Sequence, residues 1–306
     1  MPNWCANRLI INAQPDVITK LDAIANGQVE LTYRRAITAS QKLFLAGIAG
    51  ILKPTVEIVY PPYPELVRGV GALTPENQAF TQWLDLLSNN VELTPERAEE
   101  ILSLFEQAKI KNIAWGNIQR ARRDVMKAVF RKKQFDWSEN YKHRVSVDEF
   151  WMRCDVLVQT PCYAHGFDMA LIIPALLAVE VNGFNGGLLH GVERGFNDAT
   201  CRYGTKWTRV DAVVEDRTKE AIVIDFDTAW SPSLEVTQCL SERYQCDVTH
   251  YYAESGCGYG GCYTFECGEC VEQQTDDLIF SEENEEGYVD VVGPDYIVDN
   301  LGHFGG

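Results

Sequence analysis

The chain has 306 residues, 46% of them apolar, and a formal charge of −17, enough length and apolar content to bury one large core or two ordinary ones. Its most apolar run, Met169 to Val179, is interrupted by Pro174 and ended by Glu180, too short to span a bilayer. The opening Met-Pro-Asn-Trp-Cys carries neither the basic region nor the apolar core of a secretory signal, so the ten cysteines read as reduced thiols in a cytoplasm rather than as a disulfide framework.

In chain order, Trp4 to Asn12 alternates and is rich in β-formers, which predicts a strand over about Asn3–Ala13. Pro15-Asp16 opens a helix with Val17, Ile18, Leu21 and Ile24 on its apolar face and Asn26-Gly27 as its stop. A second short strand is expected at Gln28 to Tyr33. Residues 35–53 read as helical. Leu73-Thr74-Pro75-Glu76 and Leu93-Thr94-Pro95-Glu96 repeat four letters twenty residues apart. Each predicts a helix start with Thr as N-cap, Pro at the first position and Glu near the positive end of the dipole, giving helices over about 75–88 and 95–108.

Lys109 to Arg144 is basic, with a local charge of +8. Within it a helix is expected over Asn117–Phe135, with Ile118, Ala121, Val125, Val129 and Phe130 inward and Arg120, Arg123, Lys127 and Arg131 elsewhere. Such a face fits an acidic partner or nucleic acid, and equally an ordinary solvated surface. Further helices are expected at Ser146–Val158 and, kinked at Pro174, at Phe167–Val181. The Gly-rich stretch from Gly183 to Gly195 has neither a G-x-x-x-x-G-K-[ST] nor a G-x-G-x-x-G form and is not read as a phosphate loop.

After Gly204 the β pattern returns: a strand at Trp207–Val214, a turn at Asp216–Lys219, and a central strand in Ala221-Ile-Val-Ile-Asp-Phe-Asp-Thr-Ala-Trp-Ser-Pro-Ser233. A helix from Pro232 to about Tyr244, a strand at Asp247–Glu254 and a hairpin of Cys262–Cys267 with Val271–Thr275 follow. The order β-α-β … β-β-α-β predicts an α+β fold: a ferredoxin-like split βαβ sandwich with a long helical insertion and a C-terminal β-hairpin and acidic tail. The expected domains are 1–33 with 203–275, a mainly helical 34–202, and the tail 276–306. From Asp247 onward there are 14 Asp and Glu and no Lys or Arg. Glu282, Glu283, Glu285, Glu286 and Asp290 are the candidate acidic contact residues, complementary to a basic partner.

Asp225 and Asp227 stand two apart on one strand and so share a face. With Glu254 they would make a carboxylate site for a divalent cation, and with Lys206 an acid–base pair. The same residues fit a structural role, with Asp227 pinning the Thr228-Ala229-Trp230 corner, Lys206 pairing with it, and Trp4, Trp207 and Trp230 in a shared core. That role is preferred because no second catalytic motif accompanies the pair. Of Cys257, Cys262, Cys267 and Cys270, only Cys267 and Cys270 have a usual zinc spacing, and Cys262 and Cys267 would face opposite sides of a regular strand. No hydrolase triad is visible, and no catalytic residue or cofactor is assigned.

Met1-Pro2-Asn3-Trp4-Cys5-Ala6-Asn7-Arg8-Leu9 resembles the opening of the YubB ferredoxin-like family, carried by phages and plasmids. Gly204-Thr205-Lys206-Trp207 and Phe226-Asp227-Thr228-Ala229-Trp230-Ser231-Pro232 match its other signatures, and Tyr252, Glu254 and Gly256 its last strand. The resemblance covers roughly residues 1–30 and 203–268. It departs in the long helical insertion and in Ser233, where a second Pro is often found. It implies a fold rather than a reaction, and a role that helps a mobile element inside its host. Two functions follow as expectations. The first is a non-enzymatic protein that binds and inhibits a host defence complex of CRISPR or restriction type through a basic surface, partly by acidic charge mimicry. The second is a metal-dependent enzyme acting on nucleotides or nucleic acid through Asp225, Asp227 and Glu254. No membrane partner is expected, and the overall charge opposes direct nucleic-acid binding.

Overall fold

The computed structural model of the chain describes every residue except Met1, Asn112, residues 139–144, Asn284 and Glu286. The chain divides into two compact units. One comprises Met1–Val29, Tyr163–Ile173 and Asn197–Gly306, the other Glu30–Cys162 and Pro174–Phe196. The expected boundaries therefore shift: 163–173 and 197–202 belong with the sheet rather than the insertion, and 276–306 is part of the sheet unit rather than a separate tail.

Strand β1 (Trp4–Asn12) and helix α1 (Pro15–Ala25) form where the sequence places them. Gly27, at φ +63°, ends the α1 turn, and a Cβ there would lie 2.4 Å from the Ala164 carbonyl oxygen. The strand expected at Gln28–Tyr33 does not form, because α2 (Thr32–Ile48) begins inside it. The alternation there is only a few residues long, whereas α2 offers a long buried stripe that includes Ala36, Leu43 and Phe44. Helices α3 (Pro75–Ser88) and α4 (Pro95–Gln107) start as predicted. The Thr74 hydroxyl accepts from Asn77 N–H at 3.3 Å and the Thr94 hydroxyl from Arg97 N–H at 3.4 Å. In α5 (Arg120–Ser138) the buried stripe is Met126, Val129, Phe130, Lys133 and Trp137. The expected inward residues Ala121 and Val125 are exposed, because Met126 and Trp137 set the helix phase. Helix α6 (Val147–Gln159) is capped by Ser146. Its Asp155 carboxylate pairs with the fully buried Lys42, whose ammonium also lies 4.3 Å over the Trp151 ring.

The single helix expected over Phe167–Val181 is three pieces: β2 (Phe167–Asp168), a 3₁₀ turn at Met169–Leu171 capped by the Asp168 carboxylate, and α7 (Leu177–Asn182). Pro174 lacks the N–H a continuous helix needs, and the boundary between the two units falls just before it. The Gly-rich stretch that follows is pinned from within its own unit. Lys133 Nζ donates to Asn182 O at 2.7 Å and Gly186 O at 2.5 Å and pairs with Asp136 at 2.7 Å. Asp136 in turn accepts from the Asn185 backbone and side-chain amides. The glycines permit left-handed turns around a buried lysine, so the stretch is a structural loop.

After α8 (Gly195–Arg202) come β3 (Arg209–Val210), β4 (Ala212–Arg217), β5 (Ala221–Ala229), α9 (Leu234–Tyr244), β6 (Asp247–Glu254), β7 (Tyr259–Glu266) and β8 (Glu269–Asp277). The expected Trp207–Val214 strand is thus displaced to β3 and β4, and the helix predicted from Pro232 starts at Leu234. The main sheet runs β4-β5-β1-β6-β7-β8, antiparallel throughout. Strands β1, β4, β5 and β6 with α1 and α9 make the ferredoxin-like βαββαβ unit. Its second strand is β4, so the insertion interrupts the connection from α1 to that strand.

One face of the sheet packs Leu9, Ile11, Ile222, Ile224, Phe226 and Val248 against Ile18, Leu21 and Ile24 of α1 and Val236 and Leu240 of α9. The other face is covered in part by β9 (Ile279–Phe280), β10 (Val291–Gly293) and α10 (Asp295–Val298), through a small core of Ala253, Leu278, Ile297 and Leu301. The segment expected as an acidic tail is therefore built into the fold.

Lys133→Met removes the cation that holds Asp136 and two loop carbonyls. It is expected to lower the unfolding free energy by about 3 kcal/mol, the usual cost of stranding one partner of a buried pair. Urea unfolding of the full chain checks this; an unchanged midpoint would refute the pinning role.

Candidate interaction surface

Four segments of the sheet unit meet at one end of β1 and β5. Strand β5 stops at Ala229 because Trp230 turns left-handed, with φ +75°. The turn is held from every side. Trp230 N–H donates to Asn3 O at 3.0 Å, and Tyr259 OH donates to Trp230 O at 2.5 Å. The buried Thr205 hydroxyl accepts from Ala229 N–H at 3.1 Å and donates to Ala229 O at 3.2 Å. Ser231 Oγ donates to Gly204 O at 2.6 Å and Thr228 Oγ1 donates to Ser231 O at 2.7 Å. Gly204 is required there: it lies at φ +70°, and a Cβ would stand 2.8 Å from Pro232 O.

The expectation that Trp4, Trp207 and Trp230 share a core is overturned. They are 37%, 38% and 51% exposed. Cys5, Leu9 and Ile11 are buried, Leu9 and Ile11 in the helix-covered core, so alternation turns Trp4 to the other face, while Trp230 leaves the strand. Trp4 and Trp207 still touch, their ring centroids 5.7 Å apart, and Lys206 Nζ lies 4.5 Å over the Trp207 ring.

Asp225 and Asp227 share a face as predicted, but they do not form a site with Glu254. Asp225 is held by Arg8, whose Nε and Nη2 donate at 2.7 and 2.5 Å. Glu254 falls on the opposite face, since Ala253 and Asp227 are both registered against Ala6. Its carboxylate accepts from Gly256 N–H at 2.7 Å and Cys257 N–H at 2.9 Å, capping the β6–β7 turn. Asp227 is different. Its Oδ1 is buried and accepts no hydrogen bond among the described residues, and His303 Nε2 stands 3.4 Å away. Burial raises the Asp227 pKa; His303 opposes this and Asp225 reinforces it.

Among the described residues no three His, Cys, Asp or Glu side chains converge as metal ligands. Cys267 lies in the left-handed β7–β8 turn and Cys270 on β8, both exposed. Arg120, Lys127 and Arg131 are exposed on α5, in the other unit, Arg123 is half-buried, and Lys127 pairs with Asp124 at 3.4 Å. Glu282, Glu283, Glu285 and Asp290 are exposed between β9 and β10, and Glu286 lies outside the described residues.

Sequence reasoning missed the polar network beneath the corner. Asn7 Nδ2 donates to Cys5 O and Thr228 Oγ1, and its Oδ1 lies 3.0 Å from His250 Nε2. His250 Nδ1 lies 2.8 Å from Thr237 Oγ1. Asn7 and His250 occupy inward positions of otherwise apolar strands, the one signal that marked them. Complete burial of the imidazole pulls its pKa down to about 3.

Residues 31–207 match the family described as a protein of unknown function, DUF1281, and residues 202–295 match a ferredoxin-like domain in Api92-like protein. The uncharacterised protein YubA of Escherichia coli K12 is 36% identical over 165 residues, which cover 53% of this chain and 98% of YubA. YubB of the same strain is 36% identical over 143 residues, which cover 46% of this chain and 99% of YubB. The crystal structure of the protein Api92 from Yersinia pseudotuberculosis matches with a TM-score of 0.81 at 30% identity, covering 90% of this chain and 98% of that one. No helix among the described residues is long and apolar enough to cross a membrane.

His250 is neutral in the fold, with its pKa lowered from 6.5 to about 3. Between those values the unfolded chain binds the extra proton, so stability is present above pH 6.5 and falls as pH drops toward 3, by about 1.4 kcal/mol per pH unit from this group. Unfolding free energies of the wild type and His250→Asn across that window check it: the variant's profile should lose this slope.

Proposed function

The chain belongs to the DUF1281 family, and we propose that it is a non-enzymatic binding protein whose ferredoxin-like unit presents the Trp4–Trp207–Trp230 corner to a basic surface on another protein. The observation that carries this reading is the exposure of three indoles around a Trp230 corner that hydrogen bonds from Asn3, Thr205 and Tyr259 fix. Large exposed aromatics on a rigid frame are what binding hot spots are made of. The 14 carboxylates and absence of Lys or Arg after Cys246 supply a complementary field. The alternative of a cation site on Asp225, Asp227 and Glu254 is less favoured, since Asp225 is engaged by Arg8 and Glu254 lies on the other face.

The finer reading follows from the resemblance to phage- and plasmid-borne proteins: the partner is a host defence complex that handles nucleic acid, and binding inhibits it. Acidic residues such as Glu282, Glu283 and Glu285 stand in for nucleic-acid charge, and the helical unit adds specific contacts.

A tagged pull-down from host lysate tests the reading. The expected result is a nucleic-acid-handling complex retained at low salt, eluting as salt rises, and bound about 30-fold more weakly by W4A/W207A, the loss of one hot spot's worth of about 2 kcal/mol. Capture indifferent both to salt and to indole removal would overturn it.

A further inference from the structure

Resting on that reading, we propose that Asp227 and the Trp4–Trp207 pair form a seat for one arginine side chain of a protein partner, a seat that His303 occupies in this structure. The register sets the parts in place. Trp4 pairs with Ala229 and Ala6 with Asp227, so the indole and the carboxylate lie on one face as diagonal neighbours, about 7–8 Å apart at Cα. Ala6 and Ala229, the registered partners of Asp227 and Trp4, add only methyl groups to that corner of the face. The Trp207 ring continues the wall beside Trp4.

The chemistry of the missing group is read from what each part lacks. Asp227 Oδ1 is buried without a hydrogen bond, although a carboxylate has room for about four. The His303 imidazole stands 3.4 Å from it without making a hydrogen bond. Two residues earlier on the same face, Asp225 shows how a satisfied carboxylate looks: the Arg8 guanidinium donates to both of its oxygens. A second guanidinium would give Asp227 the same fork and lay its plane on an indole. Lys206 already lies over Trp207, which directs an incoming cation to Trp4.

Arg8 is engaged by Asp225 through both of its oxygens and also feels Glu215. The upward shift of the Asp227 pKa through burial is the cost that a bound cation relieves. His303 comes from a segment anchored by its backbone: Ser255 N–H donates to Phe304 O at 2.9 Å and Gly306 N–H to Trp4 O at 3.0 Å. An arginine therefore has to displace one imidazole, and the segment stays in place.

The test titrates N-acetyl-arginine methylamide into the ¹⁵N-labelled full chain and follows the indole N–H signals of Trp4 and Trp207, with N-acetyl-citrulline methylamide as the uncharged isostere. Saturable shifts of both indoles with arginine, none with citrulline, and binding about tenfold weaker in Asp227→Asn, the loss expected for a charge-assisted bidentate pair, support the seat. His303→Ala should bind arginine more tightly, which separates loss of the seat from loss of the fold. Arginine shifts unchanged in Asp227→Asn, or equal shifts with citrulline, overturn it. If the seat fails while W4A/W207A still weakens capture of the partner, the binding reading stands without it. If the seat holds while that capture ignores the indoles, the binding reading is the one that falls.

Discussion

One side-chain hydroxyl holds the architecture of the corner together. Thr205 Oγ1 takes both the N–H and the C=O of Ala229, the last residue of β5. The β4 ladder ends at Phe226, so on that side of β5 neither group has a strand partner. Both are buried, and leaving them unmade would cost on the order of 1–3 kcal/mol each. Thr205 reaches them because Gly204 accepts a left-handed backbone against Pro232. The Gly-Thr-Lys-Trp segment is thereby tied to the end of β5 even though more than 170 residues of chain lie between it and α1. The neighbouring Lys206 and Trp207 are placed by that same hydroxyl, which makes the exposed indoles a consequence of folding rather than a surface accident.

The parts of this fold that local physics determines were legible. Thr74-Pro75 and Thr94-Pro95 start helices because cap and first-turn chemistry is complete within four residues. Asp247–Glu254 is a strand as predicted because its alternation spans its whole length. What failed was decided by distant partners. The second strand of the ferredoxin-like unit is β4, whose hydrogen bonds go to β5, and nothing in Gln28–Tyr33 could reveal that α2 would claim it. Phe167–Val181 is apolar throughout, so periodicity could not distinguish a helix from a strand, a turn and a short helix divided between two units.

The candidate site was half legible for a related reason. The motif residues of the corner were all visible in the sequence, and their convergence is real. Their role was misjudged, because a tryptophan in a signature reads as core unless its face is known. Strand alternation supplies the face once the register is fixed: Cys5, Leu9 and Ile11 take the buried positions and Trp4 is turned away. The same alternation dismantles the carboxylate triad, since Asp227 and Ala253 share Ala6 as their registered partner and Glu254 must point the other way. Residue spacing along a strand tells which side chains share a face, but the assignment of two strands to one face needs their pairing.

That rigidity and that charge act at different stages of an encounter. Carboxylates spread from Asp247 to Asp299 create a field that extends about a Debye length, roughly 8 Å at physiological salt, and so govern how often a basic surface arrives. The indoles act only at contact. The Trp230 backbone is fixed by Asn3 and Tyr259, and its neighbour Ala229 by Thr205, so little ordering entropy would remain to be lost there on covering. If the proposed binding holds, salt would act on association and the aromatic corner on dissociation. A surface with the field alone would meet many basic proteins and keep none. On the proposed reading, the ferredoxin-like unit would supply what the charge lacks, a preformed place where one of them stays.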